Sequence, residues 1–385
     1  MIRKITFLFL FFFVFTKIIA SQEIIPGAHR TELYVPQLEN KNVGIVTNHT
    51  GLIEKIHLID SLLKRGIKIK KIFCPEHGFR GHADAGELIE NDIDPQTKIP
   101  IVSLYGNIKK PTRTHLQDIE ILIFDMQDVG VRFYTYISTM HYVMEAAAEN
   151  DIPLIVLDRP NPNGFYIDGP VLDTALRSFV GMHPIPVVYG MTIGELAAMI
   201  NGEGWIQTPK PCHLTVIPCV NYTHQSRYIL PVAPSPNLPN MKAVYLYPSL
   251  GFFEGTVVSC GRGTAYPFQV YGHPLLKKFP FEFTPQPMPG AKKPKFMGEK
   301  CYGENLQGTL IAQGKVEKLT LIFLIQSYQS LKISNFFNSY FNYLAGTKTL
   351  KKQIESGFSE DEIRNSWLTD IEKFKQLREK YLLYP

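Results

Sequence analysis

Between Asn42 and Leu157 the chain repeats one unit: a short β-branched apolar run, a polar turn, then a helix-compatible stretch. The runs are Val43 to Thr47, Lys70 to Cys74, Ile99 to Leu104, Ile119 to Asp125 and Ile152 to Leu157. A strand with one wet face alternates apolar and polar side chains. These runs are nearly continuous instead, as strands covered on both faces are. Between them lie Glu54 to Lys64 and Ser138 to Asn150. In the second, Met140, Val143, Met144 and Ala147 recur at helical spacing, with Ser138 as the N-cap. Thr192 to Glu203 reads as a further helix, with Thr192 and Glu195 spaced for a capping box. Strands alternating with helices predict an α/β fold, an open parallel sheet of Rossmann-like form.

The pattern changes near residue 231. Prolines crowd the passage from Pro231 to Pro248, most densely in Pro234-Ser235-Pro236-Asn237-Leu238-Pro239. Such density ends regular structure and suits a linker or a rigid loop over a cleft. The remainder mixes strand-like pieces (Thr256 to Ser259, Lys315 to Ile325) with helices. The last of these begins near Ser359, where a hydroxyl cap meets the acidic first turn Glu360-Asp361-Glu362. We therefore expect a Rossmann-like catalytic domain over residues 21–232 and a smaller α/β domain over 233–385.

The first twenty residues speak to compartment. Arg3 and Lys4 precede an apolar run from Ile5 to Phe15, broken only by Thr6, and Ala20-Ser21 offers a small-residue cleavage point. This is the order of a secretory signal peptide. The run falls short of the roughly 20 residues that span a bilayer, so the expectation is export to the periplasm with no stable membrane anchor after cleavage. Cleavage removes three of the five net positive charges, leaving about +2. That is too little to argue for nucleic acid or an anionic membrane surface. Five cysteines remain (Cys74, Cys212, Cys219, Cys260, Cys301), an odd number without a CxxC. Neither a zinc knuckle nor a disulfide framework follows. Cys212 and Cys219 could pair in an oxidising compartment, but burial as small apolar side chains accounts for all five.

Open α/β sheets bind ligands outside the carboxyl ends of their strands, so the residues after each run are the candidates. The first turn, Thr47-Asn48-His49-Thr50-Gly51, lacks the GxGxxG spacing that a dinucleotide pyrophosphate needs. No NAD or FAD is expected. After the second run come Glu76, His77, Arg80 and Glu87, and after the third Tyr105. The fourth supplies Asp125, Asp128, Arg132 and Tyr134, and the fifth Asp158, Arg159 and Asn161. Carboxylates for chemistry, planar groups for hydroxyls and aromatic faces for rings compose a carbohydrate pocket. Solvated loops are the plainer account, but loops held on a rigid scaffold tend to carry function. His77, His82 and Asp84 suggest a metal at first sight. Their spacing fits no HExxH helix and glycines interrupt it, so no metal is expected.

The same segments carry a family resemblance. The strings GIVTNHTG (Gly44 to Gly51), PEHGFRG (Pro75 to Gly81), SLYG (Ser103 to Gly106), FDMQDVGVRFYTYI (Phe124 to Ile137) and LDRPNPNG (Leu157 to Gly164) resemble the exo-β-N-acetylmuramidase family called NamZ. So do DGPVLD, SFVG with HPIP, GMTIGELA, PSPNLP, FEGT (Phe253 to Thr256) and GRGT (Gly261 to Thr264). The likeness runs from Gly44 to the closing REKYLLYP. It implies a Rossmann-like domain joined to a smaller C-terminal domain, with the active site at their interface. The activity it implies is release of N-acetylmuramic acid (MurNAc) from the non-reducing end of β-1,4-linked peptidoglycan fragments such as MurNAc-GlcNAc. The family's glutamate of the PEHG motif corresponds to Glu76.

Glycoside hydrolysis ordinarily needs two carboxyl groups across the scissile bond. Glu76 is the expected acid, following a proline that ends a buried strand within a glycine-rich turn. Asp125, Asp128, Glu87 and Glu254 are candidates for the second, with Asp128 and Glu87 the first choices. The substrate's 2-acetamido group is the alternative nucleophile. Arg80, Arg132, Arg159 and Arg262 are candidates for the lactyl carboxylate that separates MurNAc from GlcNAc, because a guanidinium meets a carboxylate through two parallel hydrogen bonds. A non-catalytic periplasmic muropeptide-binding protein is the rival reading. An esterase is disfavoured because no GxSxG elbow occurs.

Overall fold

A computed structural model describes residues 22–75, 79 and 92–385. Its centre is a seven-stranded sheet: β1 (Asn42–Thr47), β2 (Lys68–Cys74), β3 (Asp92–Ile93), β4 (Pro100–Ser103), β5 (Ile121–Asp125), β6 (Leu154–Leu157) and β7 (Leu214–Ile217). Their spatial order is β3-β4-β2-β1-β5-β6-β7. All neighbours are parallel except β3 with β4.

The continuous apolar runs have the expected cause. In β5 every residue is buried, with Ile121 and Ile123 in one core and Leu122 and Phe124 in the other. β6 divides likewise, Ile155 and Leu157 against Leu154 and Val156. Each such side chain contributes about 1.5–3 kcal/mol through removal from water. Helices α1 (Thr31–Leu38) and α2 (Leu58–Lys64) cover one face, and α3 (Tyr136–Glu149) and α4 (Ile193–Gly202) the other. The capping box at Thr192 and Glu195 forms.

The C-terminal part holds α5 (Met241–Leu250), an antiparallel sheet of β8 (Val270–His273), β9 (Phe281–Phe283) and β10 (Cys301–Asn305) in the order β8-β10-β9, and five further helices. These are α6 (Ile322–Leu331), α7 (Phe341–Ala345), α8 (Thr349–Glu355), α9 (Glu360–Asn365) and α10 (Leu368–Arg378). The capping box at Ser359 and Glu362 forms at the start of α9. This part shares one apolar core with the α3 face of the sheet. Phe133 lies against Tyr247 and Phe252 at centroid separations of 5.2 and 5.8 Å.

Several local expectations are corrected. The segment before α2 forms a hairpin of Leu52–Ile53 with Ile56–His57, turning at Glu54 with φ of 55°. The proline-rich passage ends in a helix: α5 runs through Pro248, whose ring removes the amide that Val244 O would accept. Asn163 Nδ2 reaches that carbonyl instead, at 3.3 Å. Lys315 to Ile325 yields the start of α6 rather than a strand, with Leu321 N donating to Glu360 Oε1 at 2.8 Å. Thr256 to Ser259 pairs only through isolated bridges to Phe337 and Gly272. All five cysteines are buried.

Candidate active site

The order of the strands reverses between β1 and β5, the point at which doubly wound sheets open a crevice. Here an Arg159–Asp125 pair lies at it, and Arg159 also lines an open cavity of about 1870 Å³ with His29, Leu52 and Glu54. Arg159 donates to both oxygens of Asp125, Nε at 2.6 Å and Nη2 at 2.9 Å, and Nη2 also reaches Leu52 O at 3.0 Å. Both side chains are buried. Thr47 Oγ1 donates to Asp125 O at 2.8 Å, and Gln127 N donates to Thr50 Oγ1 at 3.0 Å.

A second open cavity, of about 540 Å³, lies where the two parts of the chain meet. One wall comes from loops following β4 and β5: Tyr105, Lys109 and Tyr134, with Phe179 from a later turn. The facing wall carries Glu254, Arg262, Phe268 and Tyr340, and the proline-rich loop closes one side with Ser235 and Asn237. That loop is held from three directions. Tyr134 OH donates to Pro234 O at 2.8 Å, His49 Nε2 meets Ala233 O at 2.8 Å, and Asn237 Nδ2 donates to Gly290 O at 2.8 Å. Burial pushes the Tyr134 phenol well above its ordinary pKa, so it stays a neutral donor.

Glu254 and Arg262 form an ion pair of 2.6 Å on the cavity wall. Arg262 stands between Gly261 (φ 80°) and Gly263 (φ 81°), both in the left-handed region. A Cβ on Gly261 would approach Val270 to 2.6 Å and one on Gly263 would approach Pro294 to 2.5 Å. The GRG sequence is thus required both by backbone geometry and by space. Lys295 Nζ binds the carbonyls of Phe253, Thr256 and Val258 at 2.9, 2.6 and 3.2 Å, which fixes the loop bearing Glu254.

Of the residues expected from sequence, Tyr105, Tyr134, Glu254 and Arg262 meet at the cavity. Glu76, His77, Arg80 and Glu87 lie outside the described residues. The strand leading to them does end beside the cavity: Leu104 N donates to Cys74 O at 2.8 Å, one residue before Tyr105. The others do not line this cavity and have partners within the fold. Asp125 and Arg159 satisfy each other. Asn48 is buried and accepts from Thr50 N and Oγ1 at 3.0 and 2.6 Å. Asp158 receives Gly194 N and Thr192 Oγ1, each at 2.7 Å, together with the Tyr384 hydroxyl. It anchors the start of α4 and the C-terminus. Asn161 Nδ2 donates to Met191 O at 2.8 Å while Oδ1 accepts Asn163 N at 2.8 Å.

Two expectations need particular correction. Arg132 is fully buried and donates to Pro170 O (2.6 Å), Ile185 O (2.8 Å), Leu344 O (3.0 Å) and Ala345 O (2.8 Å). Its guanidinium binds the fold, not a ligand. Asp128 is buried and does not line the cavity. Its Oδ2 accepts from Tyr189 OH and from Gly130 N at 2.6 Å, and Oδ1 has no hydrogen-bond partner among the described residues. Burial pushes its pKa up to about 6 against those hydrogen bonds.

Sequence reading overlooked Lys109 as a site residue, along with Phe179, Tyr247 and Tyr340. Phe179 sits in the quoted SFVG string and Ser235 in PSPNLP, so those strings carried the signal. Nothing in the sequence distinguishes Lys109 from a solvated loop lysine.

The family described as exo-beta-N-acetylmuramidase NamZ, N-terminal, matches residues 43–242, and its C-terminal counterpart matches residues 245–384. The peptidoglycan beta-N-acetylmuramidase NamZ of Bacillus subtilis (strain 168) is 40% identical over 373 residues, covering 91% of this chain and 89% of that protein. Two crystal structures of DUF1343 family proteins from Bacteroides fragilis NCTC 9343 share the fold. One is 49% identical with a TM-score of 0.87, the other 29% identical with a TM-score of 0.75, and each comparison covers 94% of this chain and 99% of the other.

Proposed function

The chain belongs to the NamZ family of exo-β-N-acetylmuramidases, and from that premise we propose that it releases MurNAc from the non-reducing end of peptidoglycan fragments in the cavity between its two parts. The observation that carries this reading is convergence. Residues from six separate motifs, SLYG, FDMQDVGVRFYTYI, SFVG, PSPNLP, FEGT and GRGT, line one cavity of about 540 Å³. Its aromatic and amide lining suits the faces and hydroxyls of a sugar.

For the chemistry, Glu76 is the general acid that protonates the departing glycosidic oxygen. It follows Cys74 and Pro75 at the carboxyl end of β2, the strand whose terminus adjoins Tyr105. A donor working near neutral pH needs a raised pKa, which burial or a neighbouring carboxylate supplies. Among the described residues Glu254 is the carboxylate on the cavity wall, since Asp125 is paired to Arg159 and Asp128 is turned into the core. Glu254, 2.6 Å from Arg262, is the candidate for the second carboxyl group among the described residues, and Glu87, outside them, is the other. The basic start and apolar run of residues 1–20 support export to the periplasm, with a mature N-terminus near Ser21 or Gln22.

Incubation of the purified protein with MurNAc-GlcNAc, followed by mass spectrometry, tests the activity. Equimolar MurNAc and GlcNAc are expected. Tight binding without turnover would establish the rival binding-protein reading. N-terminal sequencing from the native host tests export, and recovery of Met1 would refute it.

A further inference from the structure

Among the described residues, three charged side chains line the cavity: Lys109, Glu254 and Arg262. The last two neutralise each other. Lys109 makes no ion pair among the described residues, and its ammonium stands 4.8 Å from the centroid of the Phe179 ring. Its neighbour Lys110 is committed to α3, 2.7 Å from Glu149 and 3.6 Å from Glu145, which fixes the segment that carries Lys109. Phe179 is equally fixed. It lies in a turn closed by Ser178 N to Gly181 O (2.9 Å) and Gly181 N to Ser178 O (3.0 Å). Its ring stacks on Tyr142 at 6.3 Å and packs against Tyr105 at 6.3 Å. The result is a cation on an aromatic platform at the wall of a sugar-sized cavity, without a counterion from the described chain.

We propose that Lys109 is the specificity residue that receives the lactyl carboxylate of MurNAc, the group that GlcNAc lacks. This rests on the muramidase reading above. Of the four arginines that sequence pointed to, the three among the described residues have other partners, while Arg80 lies outside them: Arg132 holds four carbonyls, Arg159 holds Asp125, and Arg262 holds Glu254. An ammonium on a flexible stem is a point charge that accepts a carboxylate from several directions, which suits a substituent free to rotate about its ether bond. The aromatic face beneath favours the cation whether or not the ligand is bound, so binding needs little rearrangement.

The test compares chromogenic β-glycosides of MurNAc, of its lactyl methyl ester and of GlcNAc, using wild type, Lys109→Met and Lys109→Arg. Loss of one charge-assisted contact lowers kcat/KM on the free acid by about ten- to a hundredfold, mainly through KM. Lys109→Met then treats acid and ester alike, and Lys109→Arg keeps part of the preference. An unchanged rate on the free acid, or equal losses on all three glycosides, overturns the assignment. If the wild type cleaves none of the three, the muramidase reading fails and the assignment fails with it.

Discussion

Arg132 offers the sharpest separation between a fold-holding and a ligand-reading arginine. Pro170 and Ile185, two of its acceptors, flank the turn that bears Phe179, while Leu344 and Ala345 end α7, directly after Tyr340. One side chain therefore ties together both walls of the cavity. It also caps a helix C-terminus, where a cation is favoured. Gly346, the αL residue after that helix (φ 71°), is bound to be glycine, because a Cβ there would lie 2.5 Å from Arg132 Nη2. Each charge-assisted bond contributes about 1.5–3 kcal/mol, against a burial cost of several kcal/mol for the cation. Arg132→Met keeps the volume but leaves four carbonyls without a donor. The expected loss is about 3–5 kcal/mol. For one cooperative unit of this length the unfolding entropy is about 0.75 kcal/mol/K, so Tm falls by about 4–7 °C. Arg132→Lys keeps the charge without the planar fork and lands between the two. Scanning calorimetry measures this, alongside kcat/KM on MurNAc and GlcNAc glycosides. A Tm within about 1 °C of wild type, combined with lost preference for MurNAc, would refute the clamp and restore Arg132 as a substrate ligand.

Three further outcomes are expected. Glu76→Gln lowers kcat on MurNAc-GlcNAc by roughly 10² to 10⁴ while retaining disaccharide binding, and a near wild-type rate would remove Glu76 as the acid. Glu254→Gln lowers kcat by about 10² or more, and a change under about threefold would send the search for the second carboxyl group elsewhere. Asp128 shapes the pH profile of stability. Its folded pKa of about 6 exceeds the ordinary carboxyl value of about 3.9, so its contribution is complete below about pH 4 and is lost as pH rises through 6. Asp158, pushed up to about 7 mainly by burial, acts in the same direction. The Tm difference between Asp128→Asn and wild type should therefore grow in favour of the variant from about pH 4 to 6, and parallel curves would show that Asp128 does not titrate there.

What the sequence disclosed and what it hid follow from the range of the forces involved. β5 was legible because burial on both faces writes itself into consecutive residues, and the start of α4 because a capping box is local. The hairpin before α2 was missed because Ile53, Ile56 and Ile59 fit helical spacing as well, and only the left-handed Glu54 decides against it. The helix through Pro248 depends on an amide 85 positions earlier, Asn163, taking up the freed carbonyl. Site residues divide the same way. Arg132 and Asp158 are polar residues at strand ends or just beyond them and look like ligands until their partners appear, and those partners lie as far away as Ala345 and Tyr384. Lys109 has the reverse profile: an ordinary loop lysine becomes conspicuous only once its neighbours are seen to be neutral or paired.

The continuous core between the two parts has an implication for how such a gene can change. The family segments meet between residues 242 and 245, which is inside α5, three turns that begin at Met241. A break there would sever a helix and strip the cover from Phe133 and Tyr134, which lie in the same apolar cluster as Phe252, Phe268 and Phe341. Relative motion is the usual expectation for linked domains unless their contact is large and apolar, and here a shared apolar core is tied further by the Arg132 bonds to Leu344 and Ala345 and by the Arg364–Asp168 ion pair. The halves are therefore not interchangeable parts. Recombination between relatives at this seam is productive only when the aromatic residues on both sides are exchanged together, so the pair must be inherited, engineered and expressed as one piece.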